Sequence, residues 1–126
     1  MRLLSNVLII CLCISSCKGG HPETSHVSVD DCNSLGNFKT YDEAISKVKS
    51  TDFKISESVA TDKSSWIRGA SYYSCDGQTG YLIIETDNRS YIHSGVPVSV
   101  WKEFKDAESF GSHYDHNIKG RYRLNL

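Results

Sequence analysis

The sequence has no apolar run long enough to cross a bilayer. A spanning helix takes about 20 consecutive apolar residues, and the run Val7-Leu8-Ile9-Ile10-Cys11-Leu12-Cys13-Ile14 stops after eight. Positive charge is not in excess either: 14 Lys and Arg stand against 15 Asp and Glu, for a formal net charge of −1. That balance leaves no basic footprint for non-specific nucleic-acid binding. No Cys-x-x-Cys spacing offers zinc ligands or a redox dithiol. There is no Gly-x-Ser-x-Gly elbow and no phosphate-cradling glycine loop. No cofactor and no metal are expected. What remains is a chain of 126 residues, 39% hydrophobic and 23% charged, which is ordinary material for a single globular domain.

The N-terminus reads as an address. Arg2 supplies a positive start, the eight-residue apolar run follows, and Ile14-Ser15-Ser16-Cys17 places small residues before a cysteine. This is the layout of a secretory signal, and it resembles a bacterial lipobox. The resemblance implies removal of residues 1–16, acylation of Cys17 and a stable membrane anchor, since two or three acyl chains hold where one is marginal. Loss of Arg2 with the leader takes the net charge to −2. Lys18 after Cys17 resembles the outer-membrane sorting pattern of Gram-negative bacteria. Residues 17–26 are polar and contain Gly19, Gly20 and Pro22, so they read as a lipidated flexible tether. Residues 27–62 are read as an N-terminal extension with one helix, and residues 63–126 as the main domain.

Five cysteines reduce to two once the leader and Cys17 are set aside. An even pair, Cys32 and Cys75, in an exported chain points to a disulfide; the alternative is a reactive thiol at Cys75.

Along the chain, residues 27–37 read as loop with a short extended piece at 26–29. Thr40 and Glu43 have capping-box spacing. Tyr41, Ala44, Ile45 and Val48 share a helical face, which predicts a helix from Tyr41 to Ser50 with Tyr41 as a core contact. Residues 53–59 alternate briefly, as a short strand does. Residues 66–75 are aromatic-rich, and Gly69 suggests a bulge. Residues 76–80, Asp-Gly-Gln-Thr-Gly, signal a turn. Residues 81–86 and 90–93 pair as a hairpin around Asp87-Asn88. Pro97 suits a helix start, and the apolar spacing of Val98, Trp101, Phe104 and Ala107 predicts a helix over 97–109, with Gly111 as its stop. Lys102, Glu103 and Asp106 fall on its solvated face. Trp101 is expected as a core anchor rather than a ligand platform. The sum is an α+β fold: an antiparallel meander of three to four strands, a C-terminal-half helix on one face and an extra N-terminal helix.

With these residues in view, the C-terminal half resembles the KTSC domain family, named for the C-terminal domain of lysyl-tRNA synthetase. The resemblance runs through Ser64-Ser65-Trp66-Ile67, Tyr81-Leu82-Ile83-Ile84, Tyr91-Ile92-His93, residues 96–101, residues 107–111, residues 114–118 and Gly120-Arg121-Tyr122. The family's Tyr-x-Tyr pattern reads Tyr91-Ile92-His93 here, so histidine replaces the second tyrosine. The resemblance implies a candidate binding surface around Tyr91, His93, Tyr114 and Asn117. Through the synthetase fusion it also implies an RNA-binding alternative.

Other constellations compete with plainer readings. His113 and His116 lie three apart with Asp115 between, and His93 would be the third ligand of any metal site; exposed loop histidines are the plainer account. Ser64 or Ser65 with His93 as base would be a small hydrolase, a third reading; local backbone hydrogen bonds are the plainer account of the serines. Lys102, Lys105, Lys119, Arg121 and Arg123 would form a basic patch if the tail folds beside the helix, with Tyr91, Tyr114 and Tyr122 as stacking neighbours. The leading expectation is a lipid-anchored, non-catalytic, monomeric binding module of the bacterial cell envelope, attached to the membrane through Cys17 and serving an unidentified protein partner.

Overall fold

The structure, a computed structural model, describes residues 31–126. The expected leader, Cys17, the tether and the extended piece at 26–29 lie outside the described residues. A 3-10 turn at Cys32–Ser34 leads to α1 (Tyr41–Ser50), then β1 (Ile55–Val59), β2 (Ile67–Ser74), β3 (Thr79–Thr86), β4 (Ser90–Pro97), α2 (Val98–Asp106) and α3 (Phe110–Asn117). The four strands form one antiparallel meander in the order β1-β2-β3-β4. The α+β class, the meander and the N-terminal helix are as the sequence led us to expect.

Both faces of the sheet are covered, because the central strands carry apolar residues at successive positions. Leu82 and Ile84 point to a front layer with Ile67, Ala70, Tyr72 and Val96, covered by Trp101 and Phe104 of α2 and Phe110 and Tyr114 of α3. Ile83 points to a back layer with Ile92, covered by Phe38, Ala44, Val48 and Leu124. Burying one such large side chain is worth about 2 kcal/mol. Trp101 is the anchor expected of it: its ring stacks on Tyr72 at 5.4 Å and on Phe104 at 5.9 Å. Its indole N–H donates to Glu57 Oε2 at 2.8 Å.

Local chemistry sets the element ends. Thr40 Oγ1 accepts from the Glu43 amide at 3.1 Å. The returning Glu43 carboxylate takes the Lys39 amide at 2.8 Å rather than the Thr40 amide, so the capping box is displaced by one residue. Gly69 lies at a register shift between β2 and β3, as a bulge requires. The turn after β2 is held by Asp76 Oδ1, which accepts from the Gln78 and Thr79 amides at 2.8 and 3.1 Å. Those amide donors hold the Asp76 carboxyl below its usual range.

The helix expected over 97–109 is two helices. Pro97 is the N-cap of α2 rather than its first residue, and the Val98 amide donates to Gln78 O at 2.8 Å. The chain turns extended at Ala107, and Ser109 restarts it, its hydroxyl accepting from the Ser112 amide at 3.2 Å. Gly111 is therefore not a stop: it sits in the first turn of α3 against the Trp66 indole, where a Cβ would overlap the ring. His113 and His116 lie on this helix rather than in a loop.

Cys32 and Cys75 are joined by a disulfide, with Cα atoms 5.7 Å apart. It fastens the N-terminal 3-10 turn to the β2–β3 turn across a separation of 43 residues. The chain-entropy argument gives a constraint of this length about 4 kcal/mol.

Candidate functional site

His93 sits on the front of β4, 8% exposed. Its Nδ1 lies 3.2 Å from the Tyr122 carbonyl and its Nε2 lies 2.9 Å from the Tyr114 hydroxyl. A carbonyl can only accept, so Nδ1 carries the proton, and Nε2 accepts from the Tyr114 O–H. Burial lowers the His93 pKa below its usual value, with the Tyr122 carbonyl opposing in part. Burial also pushes the Tyr114 hydroxyl up to about 12, helped by Tyr91 and Asp115. The pair is therefore neutral at physiological pH. It ties the end of β4 to α3 and to the tail.

Beside this pair, a cleft of about 820 Å³ runs along β4, the outer strand of the sheet. Its lining joins both layers across the strand edge. Tyr91, His93, Tyr114 and Lys119 come from the front, and Thr40, Tyr41, Asp42 and Leu124 from the back; Arg89 and Arg123 complete it. Tyr41 and Tyr91 are 53% and 39% exposed, so two aromatic rings stand open in one cleft. The guanidinium of Arg89 lies 5.8 Å from the Tyr91 ring centre. Arg89, Lys119 and Arg123 make no ion pair among the described residues. Asp42 is the acid in the lining.

The structure thus brings Tyr91, His93, Tyr114 and Lys119 together. Asn117 and Arg121 stay outside the cleft; the Asn117 amide is spent on the His113 carbonyl at 3.1 Å. The five-residue basic patch does not assemble. Lys105 reaches Glu57 of β1 at 2.9 Å, at the opposite edge of the sheet from Lys119 and Arg123. Tyr41 is not a core contact, because the helical face that buries Ala44 and Val48 has left the core by the first turn. Arg89 and Leu124 escaped the sequence reading. Arg89 follows the hairpin turn, and that position next to Tyr91 was the available signal.

The residues of the alternative readings make local contacts. Ser64 Oγ accepts from the Ile67 amide at 3.0 Å, which is local turn chemistry. Both His93 nitrogens are engaged. His116 Nδ1 lies 2.7 Å from its own helix's Ser112 carbonyl, and His113 packs on Phe104. Among the described residues, the group of Asp31, Cys32 and Cys75 has metal-ligand proximity. Its sulfurs are bonded to each other and are not thiolates.

The family model of the KTSC domain matches residues 63–122. These residues form a KTSC domain. The match begins just before β2 and ends at Tyr122, so it holds β2 to β4, α2, α3 and the His93–Tyr114 pair. The first strand and α1 fall outside it, yet β1 pairs with β2 and α1 covers the back of the KTSC sheet. The Tyr41 and Asp42 side of the cleft is thus built by residues outside the KTSC match. No curated protein and no solved structure matches the chain.

Proposed function

We propose that this chain is a lipid-anchored, non-catalytic binding module of the bacterial cell envelope, and that it binds through the cleft along β4. The observation that carries the reading is the cleft itself. Open aromatic rings converge there with cations that make no ion pair among the described residues, while the nearby histidine and tyrosine hold each other neutral. A cleft of this size suits a ligand. The address rests on the secretory pattern, on Cys17 and on the Cys32–Cys75 disulfide, which belongs in an oxidising compartment. No helix among the described residues is long and apolar enough to cross a membrane, so attachment falls to the acylated Cys17. The Lys18 pattern favours the outer membrane of a Gram-negative cell.

One observation favours a second reading. Tyr41 and Tyr91 beside Arg89, Lys119 and Arg123 could stack and neutralise a single-stranded nucleic acid. That reading requires affinity that falls steeply with salt.

The test compares the full chain with its Tyr91→Ala/Lys119→Glu variant as bait in envelope extract, beside turnover assays on ester, peptide and phosphoester substrates. A partner held by the first and lost by the second supports the module. Turnover that vanishes in His93→Gln with the fold intact contradicts it.

A further inference from the structure

The floor and the rim of the cleft along β4 differ in kind. Ile92, His93, Tyr114 and Leu124 form a buried floor, and the hydrogen-bonded histidine and tyrosine in it are neutral. The charges stand at the exposed rim: Arg89, Lys119 and Arg123 are the cations, and Asp42 is the acid. None of these four makes an ion pair among the described residues. Tyr41 of α1 and Tyr91 of β4 are open in the same lining. The Arg89 guanidinium lies 5.8 Å from the Tyr91 ring centre, so a ring and a cation come as a unit.

Each of these groups sets a requirement on the ligand. An open tyrosine ring takes a flat or apolar ring face. A guanidinium takes a carboxylate or phosphate through its fork of donors, and an ammonium takes the same groups as a point charge. An ionised carboxylate such as Asp42 can only accept, so the ligand has to offer donors as well as an anionic group. Apolar ring faces, carboxylates and hydroxyl donors occur together in acidic sugars. A cleft of about 820 Å³ has the size of a small-ligand site.

We propose that the cleft along β4 binds an acidic oligosaccharide, a short run of pyranose rings bearing carboxylates. The inference rests on the binding reading above and names its ligand class. Tyr41 and Tyr91 stack on sugar rings. Arg89, Lys119 and Arg123 take the carboxylates. Asp42 accepts from ring hydroxyls, beside the hydroxyls of Thr40 and Ser90 in the same lining. A single-stranded nucleic acid would bring rings and anions, but its phosphodiesters only accept and leave Asp42 opposed. Its backbone also runs on past one cleft, and Lys105 at the other sheet edge is held by Glu57. An acidic peptide would meet the cations and leave the two tyrosines without rings to stack on.

The experiment uses the full chain in detergent and four labelled probes. These are trigalacturonate, its neutral methyl ester, triglutamate and a three-nucleotide oligo-dT. Binding is read by fluorescence anisotropy. Trigalacturonate is expected to bind at least about tenfold tighter than the other three. Tyr41→Ala and Lys119→Glu should each weaken it about tenfold. Asp42→Ala separates a sugar from a plain polyanion. Losing the acceptor should weaken trigalacturonate, whereas losing the negative charge should tighten triglutamate and oligo-dT. Equal affinity for the methyl ester overturns the proposal, as does tighter trigalacturonate binding in Asp42→Ala. Preference for triglutamate or oligo-dT overturns the saccharide and keeps the cleft as a binding site. Silence from every probe, with a partner still retained in the extract experiment, overturns the saccharide and leaves the module. Silence in both overturns both.

Discussion

His93 and Tyr114 are hydrogen-bonded across the front of the sheet, Nε2 to hydroxyl at 2.9 Å. The contact joins β4 to α3. It uses up the ring nitrogen that a general base would need. Tyr114→Phe removes the donor and leaves a buried Nε2 unsatisfied. We expect a loss of about 1–3 kcal/mol in denaturant midpoint analysis, with secondary structure retained.

The same pair makes stability depend on pH. Burial depresses the folded-state pKa of His93, so the unfolded chain binds the proton more readily. The contribution is fully present above about 6.5, the unfolded value. It is lost as pH falls through the folded pKa. Melting temperature should drop between pH 7 and 5 in the wild type and drop less in His93→Gln. Equal slopes would remove His93 as the cause.

Much of this architecture was legible because local and global signals agreed. The Thr40 cap, the stripe of Ala44 and Val48, the Asp76 turn and the Asp87-Asn88 hairpin each act within a few residues. The second C-terminal helix was not legible. Its buried face is little more than Phe110 and Tyr114, and Gly111 imitates a helix stop when Trp66 is not known to lie against it. The site divided the same way. Tyr91, His93 and Tyr114 lie in the family-like stretches, whereas Tyr41 and Arg89 reach the cleft only through packing. The imagined basic patch failed because β1 and β4 are opposite edges, a fact of strand order that no local pattern encodes.

Gly111→Ala should cost about 1–3 kcal/mol. The new Cβ meets the Trp66 ring, which is itself packed at 5.7 Å on Tyr114. Thermal melts would show the loss. Trp66→Leu should relieve part of it in the double variant, giving a non-additive cycle.

Breaking the disulfide should act on the N-terminal piece first. Cys32→Ser/Cys75→Ser is expected to lower stability by up to about 4 kcal/mol. Reductant should reproduce the effect in the wild type and leave the variant unchanged. Hydrogen exchange should report faster opening around residues 31–38 before β2 to β4 respond.

Surface changes in the cleft should separate binding from folding. Tyr41→Ala and Lys119→Glu remove exposed groups without a hydrogen-bond partner among the described residues. Each should move stability by less than about 0.5 kcal/mol. A larger loss would mean that these side chains support the fold rather than a ligand.

The most direct measurement is the intact mass of the chain extracted from membranes, with and without reduction before thiol alkylation. The account predicts cleavage before Cys17, added acyl chains, and two further cysteines that alkylate only after reduction. An unprocessed, unacylated chain with free Cys32 and Cys75 thiols would contradict the envelope address and return the nucleic-acid reading to first place.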